Sequence, residues 1–389
     1  MAPRYGITWN LTEVHGWGLV GIHTALYLIE QGRAPFLMAE PKLSTVRAHL
    51  RDKLQVLVEP YQRYVQLERQ RNGSVLKFSD IDVLQSLANR MESNSPYLEG
   101  PRTIGVIAFE NTLIDDEVRK RGERYDFIVT HSTYNRDLLL NAGFRDVRMA
   151  WQGADPSEME LPPRSERFAG RFVVFSGGKL EYRKGQDMVL RAFRIFHARH
   201  PDALLATAWH SPWPDLGRNI AESPLCAEAP VIDPATNMLD VRRWAAANGV
   251  PADAFADLGF LARPQLPQAM ADADVALFPN RCEGATNLVT MEAMGAGVPC
   301  IVSANCGHVD LMTEPDACFP LHRQTQLANP RGDRTGWCDS DIDEIVERLE
   351  TVYTDRAEAR RRAEAGRRFI LGERTWRRFA ETFVAECDR

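Results

Sequence analysis

The feature that most constrains the fold is a repeated alternation of short apolar runs with segments of helical periodicity, interrupted once along the chain. Such alternation is typical of βα units that build a mostly parallel sheet. It stops at residues 152–170, which contain three prolines and many charges, and then starts again. Because 389 residues are too many for one ordinary α/β core, the sequence predicts two α/β domains joined by a linker.

The two halves are predicted to contain similar sets of strands. Apolar runs occur at 5–8, 36–39, 75–78, 103–108, 127–130 and 147–151 in the first half, and at 172–175, 204–208, 256–258, 275–278 and 300–303 in the second. Helical periodicity follows at 21–31 and 186–200, and residues 342–388 are also helical. Residues 211–250 have no clear pattern and are compatible with an insertion.

Composition narrows the function classes. A net charge of -6 and a pI near 5.9 argue against a nucleic-acid-binding protein, which is usually basic. The seven cysteines are scattered without a CxxC pair, which favours a reducing compartment and predicts no metal site. Residues 1–10 lack the apolar core of a signal peptide and no run of about 18 apolar residues occurs, so we expect a cytoplasmic protein.

The stretch Lys42–Arg71 is amphipathic and basic. It fits two interpretations, a peripheral contact with the anionic inner face of a membrane or a solvated helix face, and the second is the more common case.

Three loops follow predicted strands at positions where helix N-termini, which favour phosphate groups, would point toward a ligand. The first is the His15-Gly16-Trp17-Gly18 loop between the first strand and the first helix. Its glycines would let the backbone approach a ligand closely. An ordinary strand-to-helix turn explains them equally well.

The second loop, residues 176–185, contains Lys179 and Lys184. Two lysines at this spacing can converge on one diphosphate and stabilise negative charge on a leaving group. A solvated basic loop is usually the better explanation for such spacing. Here, however, only six of the 47 basic residues are lysines, and two of the six lie in this loop.

The third loop begins after the strand at 275–278 and contains two carboxylates, Glu283 and Glu292. A carboxylate can accept hydrogen bonds from two sugar hydroxyls at once. The alternative is that Glu283 caps the following helix and Glu292 lies on its wet face. Because Glu292 lies among Val289, Met291 and Met294, a buried position bound to a ligand is also credible.

These segments together resemble a known family. The stretches concerned are GGKLEYRKGQDMVLRAF, EGATNLVTMEAMGAGVP, YDFIVTHSTYNRDLLLNAG and MAWQGADP, which cover much of residues 100–310. They are similar to motifs of the retaining GT-B glycosyltransferases (family 4-like, group 1) that include sucrose synthases and bacterial mannosyl- and glucosyltransferases. The resemblance implies an α/β fold of two Rossmann-like parallel-sheet domains facing across a cleft.

The implied domains are an acceptor-side domain at 1–155, a linker at 156–170, a nucleotide-sugar-binding domain at 171–370 and a helix at 371–389 that crosses back to the first domain.

The resemblance also implies roles for individual residues. Lys179 and Lys184 would hold the diphosphate of the donor, Glu283 the hydroxyls of its sugar and Glu292 its ribose. Further donor contacts are implied for Gly16, Gly18, Gly178, Phe260, Leu261, Gly284, Ala285, Thr286, Asn287 and Leu288. Neither a metal ion nor a cofactor is expected.

Two departures from the family pattern stand out. Eight residues separate Glu283 from Glu292, where seven are usual, so the sugar-facing loop Gly284–Asn287 is expected to be reshaped. Glu110 lies where many members place a histidine near the donor sugar. It would act as a catalytic residue there, or it is a helix-capping or surface glutamate.

The sequence therefore predicts a hexosyltransferase that moves a sugar from a UDP- or GDP-linked donor to a hydroxyl of a glycan, a lipid-linked glycan or a small metabolite. The resemblance implies a front-face mechanism with retained configuration. Alternatives are a sugar-nucleotide epimerase of related fold and a non-catalytic sugar-nucleotide-binding module. A pyridoxal-phosphate phosphorylase is disfavoured because Lys179 and Lys184, the lysines of the second half, both lie in the phosphate loop. The oligomeric state stays open.

Overall fold

The computed structural model describes residues 4–389, which divide into two compact units. The first unit contains the described residues up to Gly153, together with Asn329–Thr335 and Thr375–Arg389. The second unit contains Ala154–Ala328 and Gly336–Arg374. Among residues 4–389, none of the helices is both long enough and apolar enough to cross a membrane.

The first unit is built on a parallel sheet of six strands, in the order β2-β1-β4-β6-β7-β8. The strands up to residue 153 are β1 (Arg4–Ile7), β2 (Phe36–Leu37), β3 (Leu76–Lys77), β4 (Ile81–Leu87), β5 (Leu98–Glu99), β6 (Thr103–Ile107), β7 (Phe127–Thr130) and β8 (Val147–Met149). The helices are α1 (Gly16–Glu30), α2 (Ala48–Leu54), α3 (Val58–Gln70), α4 (Asp116–Gly122) and α5 (Thr133–Asn141).

One strand of this sheet, β4, was not predicted from the sequence. Residues 76–77, within the predicted run at 75–78, pair with β5 in a separate two-stranded sheet, and the main sheet contains β4 instead. The apolar pattern of β4 is interrupted by two buried polar residues, Asp82 and Gln85. Asp82 accepts hydrogen bonds from Arg102, and Gln85 donates to the carbonyl groups of Ser95 and Leu98. Tertiary partners therefore make a polar strand possible inside the sheet.

The second unit is built on a second parallel sheet of six strands, in the order β13-β10-β9-β14-β15-β16. The remaining strands are β9 (Phe172–Gly177), β10 (Ala203–Ala208), β11 (Ile232–Asp233), β12 (Met238–Leu239), β13 (Phe255–Asp257), β14 (Val275–Phe278), β15 (Cys300–Ser303), β16 (Phe319–Leu321), β17 (Gln324–Gln326) and β18 (Cys338–Ser340). The helices are α6 (Gln186–His197), α7 (Val241–Ala247), α8 (Leu266–Asp272), α9 (Leu288–Gly295), α10 (Ile342–Thr354) and α11 (Arg356–Glu373).

Helices cover both faces of this second sheet. On one face α6 buries Met188, Phe193 and Phe196 together with Trp244 of α7. On the other face the helix α9 buries residues such as Met291 in a separate cluster with Phe175 and Phe278 of the sheet. Strand β9 is buried along its whole length, as expected for the centre of a parallel sheet.

The strand order reverses between β9 and β14. From β9 the chain continues to β10 and β13 on one side, and from β14 it continues to β15 and β16 on the other. The loops that follow β9 and β14 therefore begin side by side and diverge above the sheet. In open α/β sheets this point of reversal is where ligands bind.

Two later segments return to the first unit. In Asn329–Thr335, the carbonyl oxygen of Asp333 accepts a hydrogen bond of 2.9 Å from the amide of Thr112. The last helix, α12 (Trp376–Asp388), packs on α1, where Trp376 stacks on His23 at 4.7 Å between ring centroids. Residues 156–170, the predicted linker, are counted with the second unit.

Candidate active site in the second unit

The loop after β9 is held tightly against the loop after β14. Gly178 and Gly185 both have positive φ angles, +102° and +70°. A Cβ atom on Gly185 would come within 2.4 Å of the carbonyl oxygen of Pro279. Both the backbone angle and the close approach therefore require glycine at position 185.

Backbone hydrogen bonds join the same two loops. The amides of Arg281 and Cys282 donate to the carbonyl oxygen of Arg183 at 2.7 and 3.2 Å. The guanidinium of Arg183 donates in return to the carbonyl oxygen of Cys282 at 3.2 Å. These bonds fix the charged side chains of the first loop relative to those of the second.

Glu283 lies at the centre of this arrangement and is 4% exposed. Its carboxylate is 2.5 Å from Lys184 Nζ and 3.1 Å from Arg183 Nη1, and it also accepts a hydrogen bond from Asn280 Nδ2. Burial alone would raise the pKa of Glu283, but the charges of Lys184 and Arg183 outweigh burial and lower it to about 2. Burial lowers the pKa of Lys184, and Glu283 opposes that shift.

Lys179 lies in the same loop but pairs with a different carboxylate. Its Nζ is 3.2 Å from Glu181 Oε2, which is also 3.1 Å from Arg183 Nε. The loop cluster of Lys179, Arg183 and Lys184 with Glu181 and Glu283 thus has three cations for two carboxylates, and the side chain of Lys179 is 29% exposed. The cluster has one positive charge in excess, which suits an anionic ligand.

Arg281 connects these loops to neighbouring segments, although no role was predicted for it from the sequence. It is 1% exposed and binds Asp187 through both terminal nitrogens, at 2.8 and 2.6 Å. Its Nε donates to Asp339 at 2.6 Å, and its guanidinium lies over the ring of Tyr182, 4.0 Å from the centroid. An arginine directly after a buried strand was the available sequence signal.

The loop from Glu283 to Asn287 leads into α9 through an unusual backbone turn. Asn287 has φ of +62° and ends the loop immediately before Leu288, the first residue of α9. The carbonyl oxygen of Glu283 accepts a hydrogen bond of 3.0 Å from the amide of Gly307. A Cβ on Gly307 would lie 1.9 Å from the carbonyl oxygen of Ala285, so Gly307 permits this close packing.

His308 supports the same turn from below. It is fully buried, with Nδ1 2.9 Å from Ser303 Oγ and Nε2 3.3 Å from the side-chain amide of Asn287. Burial lowers the pKa of His308 to about 4, so the ring is neutral at neutral pH. His308 belongs to the site although the sequence did not indicate it.

The predicted residues of this segment are placed as follows. Gly284 and Thr286 are buried in the loop, and Thr286 Oγ1 lies 3.3 Å from Met291 Sδ. Ala285 is half-buried in the loop, and Leu288 is half-buried at the start of α9. The first turn of an α-helix has N–H groups without intrahelical acceptors, so a phosphate could bind there.

Glu292 belongs to a second charged cluster, formed with Arg263 and Glu158. Arg263 donates from Nη1 to Glu292 and from Nη2 to Glu158, and its Nε is 3.3 Å from the Glu158 carboxylate. Burial alone would lower the pKa of Arg263, but the two carboxylates raise it. Phe260 and Leu261 precede Arg263 in the chain, and Phe260 is 45% exposed. Neither Arg263 nor Glu158 was predicted from the sequence.

The predicted residues Gly16, Gly18 and Glu110 lie in the first unit. Gly18 is in the first turn of α1, where its amide donates to His15 Nδ1 at 3.1 Å. A Cβ on Gly18 would lie 2.0 Å from the carbonyl oxygen of Thr12, so its absence allows α1 to pack on that turn. Glu110 is half-buried, and its amide donates to Asn89 at 3.0 Å.

Comparison with known proteins shows which family the chain resembles. A sequence model of "Family 4 Glycosyltransferase in conflict systems" matches residues 261–383, which include both Glu283 and Glu292. A stretch of 250 residues is 26% identical to the uncharacterized glycosyltransferase YqgM of Bacillus subtilis. Over these residues the chain is similar to the family 4, or group 1, glycosyltransferases. The match covers 64% of this chain and 57% of YqgM, so the chain spans little more than half of that curated relative.

Solved structures show which fold this chain has. It is similar to HepE of Anabaena in complex with UDP and glucose, with a TM-score of 0.64 and 14% identity over 98% of this chain and 99% of HepE. A sucrose-phosphate synthase from Thermosynechococcus elongatus has a TM-score of 0.64 at 14% identity, over 98% and 97% of the two chains. WaaG, a glycosyltransferase involved in lipopolysaccharide biosynthesis, has a TM-score of 0.60 at 14% identity, over 98% of each chain. The predicted GT-B fold of two Rossmann-like domains is confirmed.

Proposed function

We propose that this protein transfers a hexosyl unit from a UDP- or GDP-linked sugar to a hydroxyl acceptor, with retained anomeric configuration. One observation carries the proposal. Lys184 and Glu283, from the loops after β9 and β14, lie 2.5 Å apart where the strand order reverses. A cation for a diphosphate and a carboxylate for a sugar thus stand next to each other in the expected ligand position.

The phosphate end of the donor would bind the loop cluster. Its excess positive charge, from Lys179, Arg183 and Lys184, attracts a diphosphate, and the first amides of α9 add hydrogen-bond donors. When the sugar departs, negative charge grows on the diphosphate and these groups stabilise it. One such preorganised donor typically contributes about 100- to 1,000-fold to the rate.

The sugar end would bind Glu283. Its carboxylate now accepts from Lys184, Arg183 and Asn280. On donor binding, Lys184 would turn toward the phosphate and leave one carboxylate oxygen for sugar hydroxyls. In the front-face reaction the bond from C1 to the phosphate oxygen breaks, the acceptor oxygen bonds to C1 from the same face, and the acceptor proton passes to the leaving phosphate.

The nucleoside would extend from the diphosphate toward the Glu292 cluster. Glu292 and Glu158 share the single positive charge of Arg263, so this cluster has a carboxylate in excess. That excess suits ribose hydroxyls, which donate hydrogen bonds. Phe260 and Leu261, in the preceding loop, would flank the base.

The acceptor is proposed to be a glycan, a lipid-linked glycan or a small metabolite that meets the first unit, with Glu110 orienting it. Within residues 4–389, no group of three or more His, Cys, Asp and Glu side chains is placed to hold a metal ion. Metal independence and membrane contact through Lys42–Arg71 stay predictions, and full activity after EDTA treatment would support the first.

A donor screen tests the proposal. The purified protein is incubated with UDP-, GDP- and ADP-linked hexoses, and thermal stabilisation, release of the nucleoside diphosphate and the anomeric configuration of any product are measured. We expect one donor to stabilise the fold and to release its diphosphate faster when an acceptor is present. Conversion of a sugar nucleotide without an acceptor would indicate an epimerase. Stabilisation without turnover across a broad acceptor panel would indicate a binding module, and no response to any donor would refute nucleotide-sugar binding.

A further inference from the structure

A cavity of about 490 Å³ lies at the carboxyl ends of β10 and β13, in the second unit. Its walls include His210 and Asp257 at the two strand ends, Phe260 in the next loop, and Asp240 at the start of α7. Part of residues 211–250, including the β11–β12 hairpin, closes one side. The proposed function assigns Phe260 to the base, but it gives His210, Asp257 and Asp240 no role.

Two acceptors, Asp257 and His210, line the cavity together with one cation, Arg242. His210 Nε2 lies 2.8 Å from Asp257 Oδ2, and the other oxygen of Asp257 accepts from the amide of Gly259 at 2.9 Å. Burial alone would raise the pKa of Asp257, but its hydrogen bonds with His210 and Gly259 outweigh burial and lower it. The carboxylate is therefore ionised at neutral pH and only accepts hydrogen bonds.

His210 adds a further acceptor. Its side chain is 7% exposed, and within residues 4–389 its Nδ1 has no hydrogen-bond partner. If Nε2 carries the proton that Asp257 accepts, Nδ1 has a free lone pair. A ligand that brought an N–H group to this buried acceptor would satisfy it, whereas a ligand that brought only carbonyl groups would leave it unpaired.

The nucleobases differ in this property. Guanine presents two adjacent N–H donor groups on one edge, which fit a carboxylate, whereas uracil presents one N–H between two carbonyl oxygens. Phe260, 45% exposed at the cavity, offers a ring face on which a base can stack. We propose that this cavity holds the base of the donor nucleotide and selects guanine over uracil, with Asp257 and His210 as the specificity-determining acceptors. The proposal rests on the proposed function.

Calorimetric titration of the full chain with GDP, UDP and ADP tests it. We expect GDP to bind at least about tenfold more tightly than UDP, since one bidentate base contact gives discrimination of that order. In Asp257→Asn, which keeps the shape of the side chain, the GDP preference should fall about tenfold while UDP affinity stays within about twofold of the wild type. Asp253→Asn, at an exposed position four residues earlier, should keep the wild-type preference.

The outcomes separate the two proposals. Equal affinity for GDP and UDP, tighter UDP binding, or equal weakening of both by Asp257→Asn would overturn the base assignment and leave nucleotide-sugar transfer standing. Absence of binding by all three nucleotides would overturn the proposed function itself. Thermal unfolding of each variant checks the fold, and His210→Asn repeats the measurement on the second acceptor if Asp257→Asn does not fold.

Discussion

The two glutamates of the third loop lie in clusters of opposite charge balance. Glu283 accepts hydrogen bonds from Lys184, Arg183 and Asn280, in a cluster where cations outnumber carboxylates. Glu292 shares the guanidinium of Arg263 with a second carboxylate, so there carboxylates outnumber cations. The two residues have the same chemistry and lie nine positions apart, but their partners give them different capacities.

This difference shows how one loop and helix can serve both ends of a nucleotide sugar. A cluster with positive charge in excess favours the diphosphate. When Lys184 turns from Glu283 to the phosphate, one carboxylate oxygen of Glu283 becomes able to accept a hydrogen bond from the sugar. A cluster with negative charge in excess favours groups that donate hydrogen bonds. Substitutions that change one cluster at a time should therefore separate catalysis from nucleoside binding.

The largest effect is expected for Lys184→Ala. The change removes the cation nearest to Glu283 and one donor to the leaving diphosphate, so kcat should fall about 1,000-fold. The fold should persist, with a loss of about 2 kcal/mol, because Arg183 and Asn280 still bind Glu283. Kinetics with the donor found by the screen and thermal unfolding measure the two quantities.

A matched lysine variant provides the control for this experiment. Lys120 is an exposed lysine of α4 in the first unit. Lys120→Ala should therefore leave both kcat and Tm near the wild-type values. If Lys184→Ala keeps full activity, the phosphate assignment of the loop cluster is wrong.

Glu283→Gln should have the next largest effect. The amide is isosteric with the carboxylate but accepts sugar hydroxyls less strongly, so kcat should fall about 100-fold. The affinity for the free nucleoside diphosphate should be unchanged or higher, since Lys184 no longer pairs with a carboxylate. Kinetics and calorimetry on the same preparation give this contrast, and a large loss of diphosphate affinity would contradict the separation of the two clusters.

A smaller effect is expected in the second cluster, where two variants can be compared. Glu292→Gln removes the proposed ribose acceptor, so nucleotide affinity should fall about tenfold while kcat at saturating donor changes little. Glu158→Gln weakens the ion pair between Glu158 and Arg263 but changes no proposed contact with the nucleotide. Its effect on nucleotide affinity should therefore be about threefold or less. Equal losses in both variants would show that Glu292 acts through Arg263 and not on the ribose.

The sequence allowed the positions of these carboxylates to be predicted, but not their partners. Glu283 and Lys184 lie in loops directly after buried strands, and an adjacent pair of parallel strands brings such loops together. Arg263 and Glu158 are 105 residues apart in the chain. Their pairing depends on how the segment after residue 153 packs within the second unit, and no local pattern encodes that packing.

Strand β4 shows the same limitation in the fold. A parallel strand buried on both faces usually reads as an apolar run, but β4 contains Asp82 and Gln85. Each is satisfied by partners 10 to 20 residues further along the chain, Arg102 for Asp82 and the carbonyl groups of Ser95 and Leu98 for Gln85. Local periodicity cannot report such compensation, so the apolar pattern favours the segment at 75–78.

The smallest effect concerns pH and belongs to the Glu283 side of the comparison. His308 has a pKa of about 4 in the folded protein, against 6.5 without burial, so between these values the unfolded state binds more protons. Stability should therefore fall as the pH drops from about 6.5 to about 4, by at most about 1.4 kcal/mol per pH unit from this group. Glu283, with a folded pKa of about 2 against 4.5, loses its contribution only at lower pH.

Thermal unfolding across this range can isolate the contribution of His308. In His308→Asn the decrease of Tm between pH 6.5 and pH 4 should be shallower than in the wild type, because one group that gains a proton on unfolding is gone. Ser303→Ala is the matched control, since it removes the hydroxyl next to His308 Nδ1 but no titrating group. It should lower Tm by a similar amount at every pH. An unchanged slope in His308→Asn would mean that burial does not lower the pKa of His308.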